Sequence, residues 1–391
     1  MAEIKIPPAK PLIEEEEIEA VKRVLKSGRL TQGPVTEEFE REFAKYNSVK
    51  YAIAVSSGTA ALYIALIAAG VKPGDEVITT SYTFIATANT IVYAGAIPVF
   101  ADINPDTYNI DPKSIEEAIT SRTKAILIVH LFGQPCDVDP IIDIAREHNL
   151  VLIEDCAQAH GALYKGRMVG TFGDVACYSF YPTKNMTTGE GGMIVTNNRE
   201  IAEKARLIRN HGQVKRYEHA ILGFNFRMTD IQAAIGLVQL KKLEQMIKAR
   251  VKRAKQVSDE LENVKNITPP YEMPGVRHVY SLYAPKLEGN HEKARLLKLI
   301  AKLQEKGVGA REVYPEPIYK QPLYQDIMNE EKNPYAKLFG REVSYKDCKC
   351  KNAEDIVKQV FQLPLYPSMT DEEVEYMVNC VKESVKEVFS T

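Results

Sequence analysis

The chain has 391 residues, with 50 Lys and Arg against 52 Asp and Glu and a formal net charge of −2. This balance excludes a dedicated nucleic-acid-binding protein, which carries a clear basic excess, and a composition of 45% hydrophobic and 26% charged residues excludes a disordered chain. No apolar run reaches the roughly 18 residues of a membrane span and no signal-peptide core is present, so we expect a cytoplasmic α/β enzyme.

Strand and helix patterns alternate with short connections between residues 50 and 200. Such alternation is typical of a mostly parallel sheet covered by helices on both faces. The predicted strands are 52–55, 76–80, 97–101, 124–130, 150–154, 175–180 and 193–196. The predicted helices are 58–69, 83–94, 114–119 and 138–148. Ser114 and Glu117 form a capping box that predicts the start of the third of these helices.

A longer helix is predicted where this alternating region ends. Thr229 and Gln232 form a second capping box, and apolar residues recur at helical spacing from there towards Leu261. Beyond Asn266 the composition shifts to segments rich in Pro and Tyr, followed by a Lys-rich helix predicted at 291–306. We therefore expect the domain boundary within or just after the long helix.

A glycine-containing turn joins the first predicted strand to its helix at Ser57, Gly58 and Thr59. Free backbone N–H groups and the positive end of the helix dipole bind phosphate at such a start, and Gly58 permits close approach. The same residues are compatible with a plain Ser N-cap. No G-x-G-x-x-G motif follows a strand, which disfavours a dinucleotide-dependent sugar oxidoreductase.

Two ionisable residues follow neighbouring strands of the predicted sheet. Asp155 ends an apolar strand, and ligands of open α/β sheets bind beyond such strand ends. Its carboxylate is suited to hold a protonated ring nitrogen by a charge-assisted hydrogen bond. The alternative is that it only caps the next segment. Lys184 lies in a loop after the next strand. Burial near cationic or apolar groups can lower the pKa of a lysine enough to make its amine a nucleophile for a carbonyl. A phosphate turn, a ring-nitrogen acid and a Schiff-base lysine together indicate pyridoxal 5′-phosphate (PLP).

The cysteines predict no metal site. Cys348 and Cys350 form a lone C-x-C with no second pair at zinc-ligand spacing. Cys136, Cys156 and Cys177 lie in or beside apolar segments, as small buried residues do, and Cys380 lies in a C-terminal helix pattern.

Several ordered motifs resemble the DegT/StrS-type nucleotide-sugar aminotransferases, which have the aspartate-aminotransferase fold (PLP-dependent fold type I). The motifs are SSGTAAL, GDEVITTSYTFIATANT, IEDCAQAHGA, SFYPTKN, TGEGG and GFNFRMTDIQAA. The resemblance runs from Gly28 to Pro367, which is nearly the whole chain.

Site residues are implied where the motifs match. Lys184 matches the lysine that forms the internal aldimine and moves the proton between the substrate carbon and the cofactor, and Asp155 matches the partner of the pyridine nitrogen. Gln158 matches a residue near the phenolic oxygen. Phe84 fills the position that stacks on the cofactor ring. Gly58, Thr59 and Ser179 match phosphate contacts, and Asn225 matches a residue that reaches the phosphate from the neighbouring subunit. The last match implies a homodimer with shared active sites.

The resemblance also implies a domain arrangement. An N-terminal arm (1–30) is expected to pack with the small domain, followed by a large PLP-binding domain (31–250) with a mostly parallel sheet and a smaller C-terminal α/β domain (251–391).

The implied activity moves an amino group from glutamate to a nucleotide-linked ketosugar in amino-sugar biosynthesis. Alternatives are a PLP-binding regulator without turnover, a cyclitol aminotransferase, and a sugar dehydratase, although the dehydratases replace the lysine that Lys184 retains. The nucleotide, the sugar and the keto position (C3 or C4) stay open. Tyr319 stands where many relatives carry histidine, so it is either a substrate contact or a Tyr packed in a proline-rich loop.

Overall fold

The computed structural model describes residues 5–289 and 293–390. The α-helices within these ranges are α1 (Glu15–Ser27), α2 (Pro34–Asn47), α3 (Gly58–Ala68), α4 (Ala86–Tyr93), α5 (Pro112–Glu117), α6 (Val138–Glu147), α7 (Arg199–Arg209), α8 (Asp230–Leu261), α9 (Lys293–Glu305), α10 (Pro322–Gln325), α11 (Lys351–Ile356) and α12 (Asp371–Phe389). In the described parts of the chain, none of them is both long and apolar enough to span a membrane.

The strands fall into one large sheet and several short pairings. They are β1 (Tyr51–Val55), β2 (Glu76–Thr80), β3 (Ile97–Ala101), β4 (Thr123–Val129), β5 (Val151–Asp155), β6 (Leu163–Tyr164), β7 (Arg167–Met168), β8 (Val175–Ser179), β9 (Gly192–Thr196), β10 (Gln213–Lys215), β11 (Glu218–His219), β12 (Ile267–Thr268), β13 (Val276–Arg277), β14 (Lys286–Leu287), β15 (Arg311–Glu312) and β16 (Phe361–Gln362).

The central sheet has the strand order β1-β9-β8-β5-β4-β2-β3. Every adjacent pair from β8 to β3 is parallel, whereas β9 runs antiparallel to both of its neighbours. All residues of β2, β8 and β9 are buried, as expected for strands covered on both faces. The predicted α/β fold with a mostly parallel sheet is therefore confirmed.

Helices cover the sheet on its two faces. The apolar helix α3 packs against one face together with α4 and α7, in the same core as Ile153 of β5. On the other face, Phe43 of α2 contacts Tyr178 of β8 edge-on, with ring centroids 5.1 Å apart. Because both faces are occupied, the edge at the carboxyl ends of the strands is left for ligands.

The predicted capping box at Ser114 is wrong. Helix α5 begins at Pro112, and the Asp111 side chain caps it by accepting the Lys113 N–H. Proline at the first helical position has a suitable φ and no N–H to satisfy, which favours this earlier start. The Ser114 hydroxyl instead accepts the Asp102 N–H at 2.8 Å and ties the helix to the end of β3.

Helix α4 also begins later than the pattern indicates. The prediction placed residues 83–94 in a helix, whereas α4 covers Ala86–Tyr93. Thr83 and Phe84 lie in the connection that follows β2. This connection brings Phe84 to the carboxyl edge of the sheet.

The long helix predicted after Thr229 is confirmed as α8, with the capping box between Thr229 and Gln232 formed. Its first residue, Asp230, is buried and accepts the N–H groups of Gly33 and Thr36, each at 2.9 Å. The chain before α2 is thereby anchored to α8.

A second apolar core lies beyond α8. It joins Leu299 of α9, Val381 of α12 and Val257 near the end of α8. Residue Ile6 also belongs to this core and forms a parallel bridge with Val308, whereas α1 packs on the first half of α8. The division into an arm and two domains stays a prediction. The first residue of the predicted arm and the last residue of the predicted small domain lie outside the described residues. The same holds for His291, the predicted start of the Lys-rich helix.

Candidate active site

A cavity of about 570 Å³ opens at the carboxyl edge of the sheet. One wall comes from the residues that follow β1, β2, β5 and β8, because the carboxyl ends of these strands, which run in the same direction, meet at one edge. The opposite part of the lining comes from residues 281–282 and 311–314. The cavity brings together the following residues that the sequence predicts: Gly58, Thr59, Phe84, Asp155, Gln158, Ser179 and Lys184.

The turn before α3 forms one wall of the cavity. The Ser57 hydroxyl caps the helix by accepting the Ala60 N–H at 3.1 Å, which leaves the N–H groups of Gly58 and Thr59 without an intrahelical acceptor. A Cβ atom at Gly58 would lie 2.7 Å from the Ser179 Cβ, so only glycine lets the helix start approach β8 this closely. The result is a cradle of two N–H groups beside a serine hydroxyl, an arrangement that suits an anion.

Asp155 is the last residue of β5, and its carboxylate is buried at the base of the cavity. One oxygen accepts the Ala157 N–H and the other the Thr87 hydroxyl, each at 3.0 Å. Burial raises the pKa of Asp155, while these hydrogen bonds and the Lys184 charge act in the opposite direction. A carboxylate in this state is stabilised by a cationic hydrogen-bond donor, and a protonated ring nitrogen is one.

A buried network lies beside Asp155 on the other side of β5. The His130 Nδ1 accepts the Cys136 N–H, so its Nε2 carries the hydrogen and donates to Glu154 at 3.0 Å. The Glu154 carboxylate also accepts the N–H groups of Gly170, Phe172 and Gly173 at 2.7–2.8 Å. These bonds hold the connection after β7 against the ends of β4 and β5.

Gln158 has a fixed amide orientation. Its Oε1 accepts the Phe132 N–H at 2.7 Å, so Nε2 is the group that faces Tyr314, to whose hydroxyl it donates at 3.0 Å. One of the two hydrogens on Nε2 remains for a ligand in the cavity.

Lys184 follows β8 and is half-buried at the cavity wall. Burial lowers the pKa of its amine to about 8, although the Asp155 charge opposes the shift. Since the neutral amine is the nucleophile, this raises the fraction of reactive lysine near neutral pH by about two orders of magnitude relative to a free side chain.

The other predicted residues lie at different places. Phe84 is 56% exposed at the cavity rim, with its ring centroid 6.3 Å from that of Tyr314. Asn225 is exposed, forms a backbone bridge with Asn210 and does not line the cavity. Tyr319 is packed in the core, where it donates to Glu354 at 2.6 Å and accepts the Cys350 N–H.

Three residues of the site were missed in the sequence. Thr87 holds Asp155, Tyr314 holds Gln158, and Arg311 lines the cavity. Thr87 lies within a recognised motif, but no local pattern connects Tyr314 or Arg311 with residues more than 120 positions earlier in the chain.

Comparison with known proteins gives concordant matches. The sequence model of the DegT/DnrJ/EryC1/StrS aminotransferase family matches residues 11–382. The chain is 45% identical over 297 residues to the GDP-perosamine synthase of Caulobacter vibrioides, covering 75% of this chain and 80% of that protein. A crystal structure of S. venezuelae DesV in complex with a ketimine intermediate has a TM-score of 0.88 at 34% identity and covers 97% of this chain and 98% of its own. The structure of NtdA from Bacillus subtilis with the bound cofactor PMP has a TM-score of 0.84 at 35% identity, covering 95% of this chain and 82% of its own.

Proposed function

Because the chain belongs to the DegT/DnrJ/EryC1/StrS aminotransferase family, we propose that it is a PLP-dependent sugar aminotransferase that moves an amino group from glutamate to a nucleotide-linked ketosugar. The observation that carries this proposal is the single cavity in which Lys184, Asp155 and the N-terminus of α3 meet.

The residues of the cavity fit the cofactor group by group. The N–H groups of Gly58 and Thr59 and the Ser179 hydroxyl suit the phosphate, and Asp155 suits the protonated ring nitrogen. The free N–H of Gln158 suits the phenolic oxygen, and Phe84 at the rim suits the face of the ring. When bound, the cofactor supplies an electron-withdrawing ring that stabilises negative charge on the substrate carbon.

Lys184 acts as the nucleophile that holds the cofactor and as the base that moves the substrate proton. Its lowered pKa keeps a usable fraction of neutral amine at neutral pH, and the protonated form can return the proton. Asp155 keeps its negative charge against the ring nitrogen, while Thr87 and the Ala157 N–H hold the carboxylate in place.

The proposed assembly is a homodimer in which Asn225 reaches the phosphate of the neighbouring subunit. Asn225 is exposed next to a segment that carries large apolar side chains in solvent, including Tyr217 at 81% and Leu222 at 85% exposure. Such a patch is typical of a protein–protein interface. The proposed compartment is the cytoplasm, which suits the six free cysteines.

The test of the activity is a panel of nucleotide-ketosugars and a cyclic ketone, scored by 2-oxoglutarate released from glutamate. We expect release with at least one nucleotide-linked ketosugar. Release with the cyclic ketone alone would identify a cyclitol aminotransferase instead. Borohydride reduction followed by peptide mapping tests the lysine, because an unmodified Lys184 contradicts its role as the attachment site.

A further inference from the structure

The carboxamide of Gln158 is held at both of its ends. The Phe132 N–H donates to Oε1 at 2.7 Å, and Nε2 donates to the Tyr314 hydroxyl at 3.0 Å. The first bond fixes one atom of the planar group, and the second fixes its plane. Because the two hydrogens of Nε2 lie in that plane, the direction of the hydrogen left for the cavity is set once Tyr314 has accepted the other.

Tyr314 is itself held in place by the sheet region of the chain, although it is separated from Gln158 by 156 positions. Its backbone N–H donates to the Tyr82 hydroxyl at 3.0 Å, and that hydroxyl donates to the Val313 carbonyl oxygen. The Tyr314 ring contacts the Tyr82 ring edge-on at 5.9 Å and stacks on the Phe132 ring at 6.4 Å, between centroids. Since Tyr82 is fully buried just after β2, the Tyr314 hydroxyl is presented to Gln158 from a fixed position.

The hydroxyl of Tyr314 is in the state that this contact requires. Burial raises the pKa of Tyr314 to about 12, with the Gln158 hydrogen bond acting in the opposite direction and the Asp155 charge adding to the rise. The phenol is therefore neutral at physiological pH, and its oxygen accepts from Nε2 through a lone pair. The influence of Asp155 also shows that the phenol lies within electrostatic reach of the base of the cavity.

We propose that Tyr314 is a positioning residue for the cofactor, whose hydroxyl directs the remaining Nε2 hydrogen of Gln158 towards the phenolic oxygen. This inference rests on the proposed function. The C-terminal region would thus act on the cofactor through Gln158, in the way that outer hydrogen bonds orient the groups that touch a ligand.

The proposal has a spectroscopic consequence. The phenolic oxygen of the bound cofactor shares a proton with the Lys184 nitrogen, and its visible absorbance changes when this proton is lost. A hydrogen bond donated to the oxygen stabilises the deprotonated form, so it lowers the pH at the midpoint of the change. Weakening the Gln158 bond should therefore move the midpoint to higher pH.

The test compares Tyr314→Phe, Gln158→Leu and the double variant, each loaded with PLP. Tyr324→Phe is the matched control, because the buried Tyr324 hydroxyl also donates to a side-chain amide, the Asn89 Oδ1 at 2.9 Å, and neither residue lines the cavity. The visible absorbance is followed against pH, and the melting temperature of each protein is measured on the same samples.

We expect Tyr314→Phe to raise the midpoint by about 0.5 to 1 pH unit and Gln158→Leu to raise it by at least as much. In the double variant the midpoint should equal that of Gln158→Leu, because the hydroxyl then has no amide to direct. Tyr324→Phe should lower the melting temperature and leave the midpoint unchanged.

An unchanged midpoint in Tyr314→Phe would overturn the proposal. A shift that persists in full in the Gln158→Leu background would also overturn it, because the phenol would then act on the cofactor directly. An equal shift in Tyr324→Phe would assign the effect to lost packing instead. Failure of the proposed function is distinct, since the wild-type protein would then develop no visible absorbance of lysine-bound cofactor when mixed with PLP.

Discussion

The Lys184 amine has a pKa of about 8 because burial disfavours its charged form more than Asp155 stabilises it. Protonation removes the nucleophilic lone pair, so we expect the rate at which the cofactor-free protein captures PLP to fall about tenfold for each pH unit below 8. Above that pH the rate should level off. Stopped-flow absorbance measures this rate. A rate that keeps rising up to the pH at which an ordinary lysine loses its proton would contradict the lowered pKa.

The role proposed for Asp155 requires its negative charge as well as its shape. Asp155→Asn is nearly isosteric and can still accept from Thr87 or Ala157, so we expect it to retain bound cofactor. The amide cannot hold a proton on the ring nitrogen, so turnover should fall by about two orders of magnitude or more. Steady-state transamination measures this, with the exposed Asp139→Asn as control. Near-normal turnover would remove Asp155 from its proposed role.

Single residues also set the stability of the site. Glu154 accepts only N–H donors, so the NH₂ group introduced by Glu154→Gln would face another donor inside the core. We expect a loss of about 3 kcal/mol in the free energy of unfolding. Urea unfolding measures this loss, and the exposed Glu147→Gln at the end of α6 is the control. A change as small as that of the control would show that the network contributes little.

The same network predicts a pH dependence of stability. Burial alone would raise the pKa of Glu154, but the hydrogen bonds from His130, Gly173 and Gly170 lower it below its ordinary value of 4.5. A lowered folded-state pKa means that the stabilisation is present above pH 4.5 and is lost as the pH falls through the folded-state value. Wild type should therefore lose more stability than Glu154→Gln in acid. Equal acid losses in both proteins would contradict this assignment.

At the scale of elements, the contact between α3 and β8 builds the cradle that we propose for the phosphate. Gly58→Ala places a Cβ atom 2.7 Å from the Ser179 Cβ and pushes the helix start away from the strand. Gly236→Ala in α8 is a matched control, because its Cβ atom would lie 2.7 Å from the Phe39 ring, at a distance from the cavity. We expect both alanine variants to melt at lower temperature, but only Gly58→Ala to lose PLP affinity, by about tenfold or more. Equal PLP affinity in the two variants would remove the cradle from cofactor binding.

At the scale of the whole molecule, the proposed sharing of the active site predicts complementation between subunits. Mixed dimers of Lys184→Ala and Asn225→Ala subunits contain one site with both native residues. We expect refolded mixtures to be more active than the average of the two parent proteins. Activity equal to that average would place Asn225 outside the neighbouring site, and light scattering on the same samples tests the dimer itself.

Much of the site could be predicted because it is built from chain segments with local patterns. Alternating strands and helices bring the ends of β5 and β8 to one edge, so Asp155 and Lys184 meet once the sheet is parallel. The start of α3 and the capping box of α8 are also local, because a helix cap depends on three or four neighbouring residues.

Local competition explains the wrong boundaries. Asp111 followed by Pro112 is a stronger helix start than the box at Ser114, whose hydroxyl is drawn to the N–H of Asp102. Either Asp111 or Ser114 could have capped the helix. The outcome depends on the Asp102 N–H at the end of β3, which needs an acceptor, and the position of β3 is fixed by the sheet.

The sequence by itself determined the α/β class, the family resemblance and the grouping of Asp155 and Lys184. Each of these depends on the pattern of apolar residues within a short segment and on the residue that follows a strand, and both are visible in the sequence. Only the tertiary structure decided that Tyr314 holds Gln158, that Arg311 lines the cavity, and that Tyr319 is packed in the core. Each of these contacts joins segments that are separated along the chain, and their meeting depends on how the C-terminal region packs onto the sheet rather than on any neighbour in sequence.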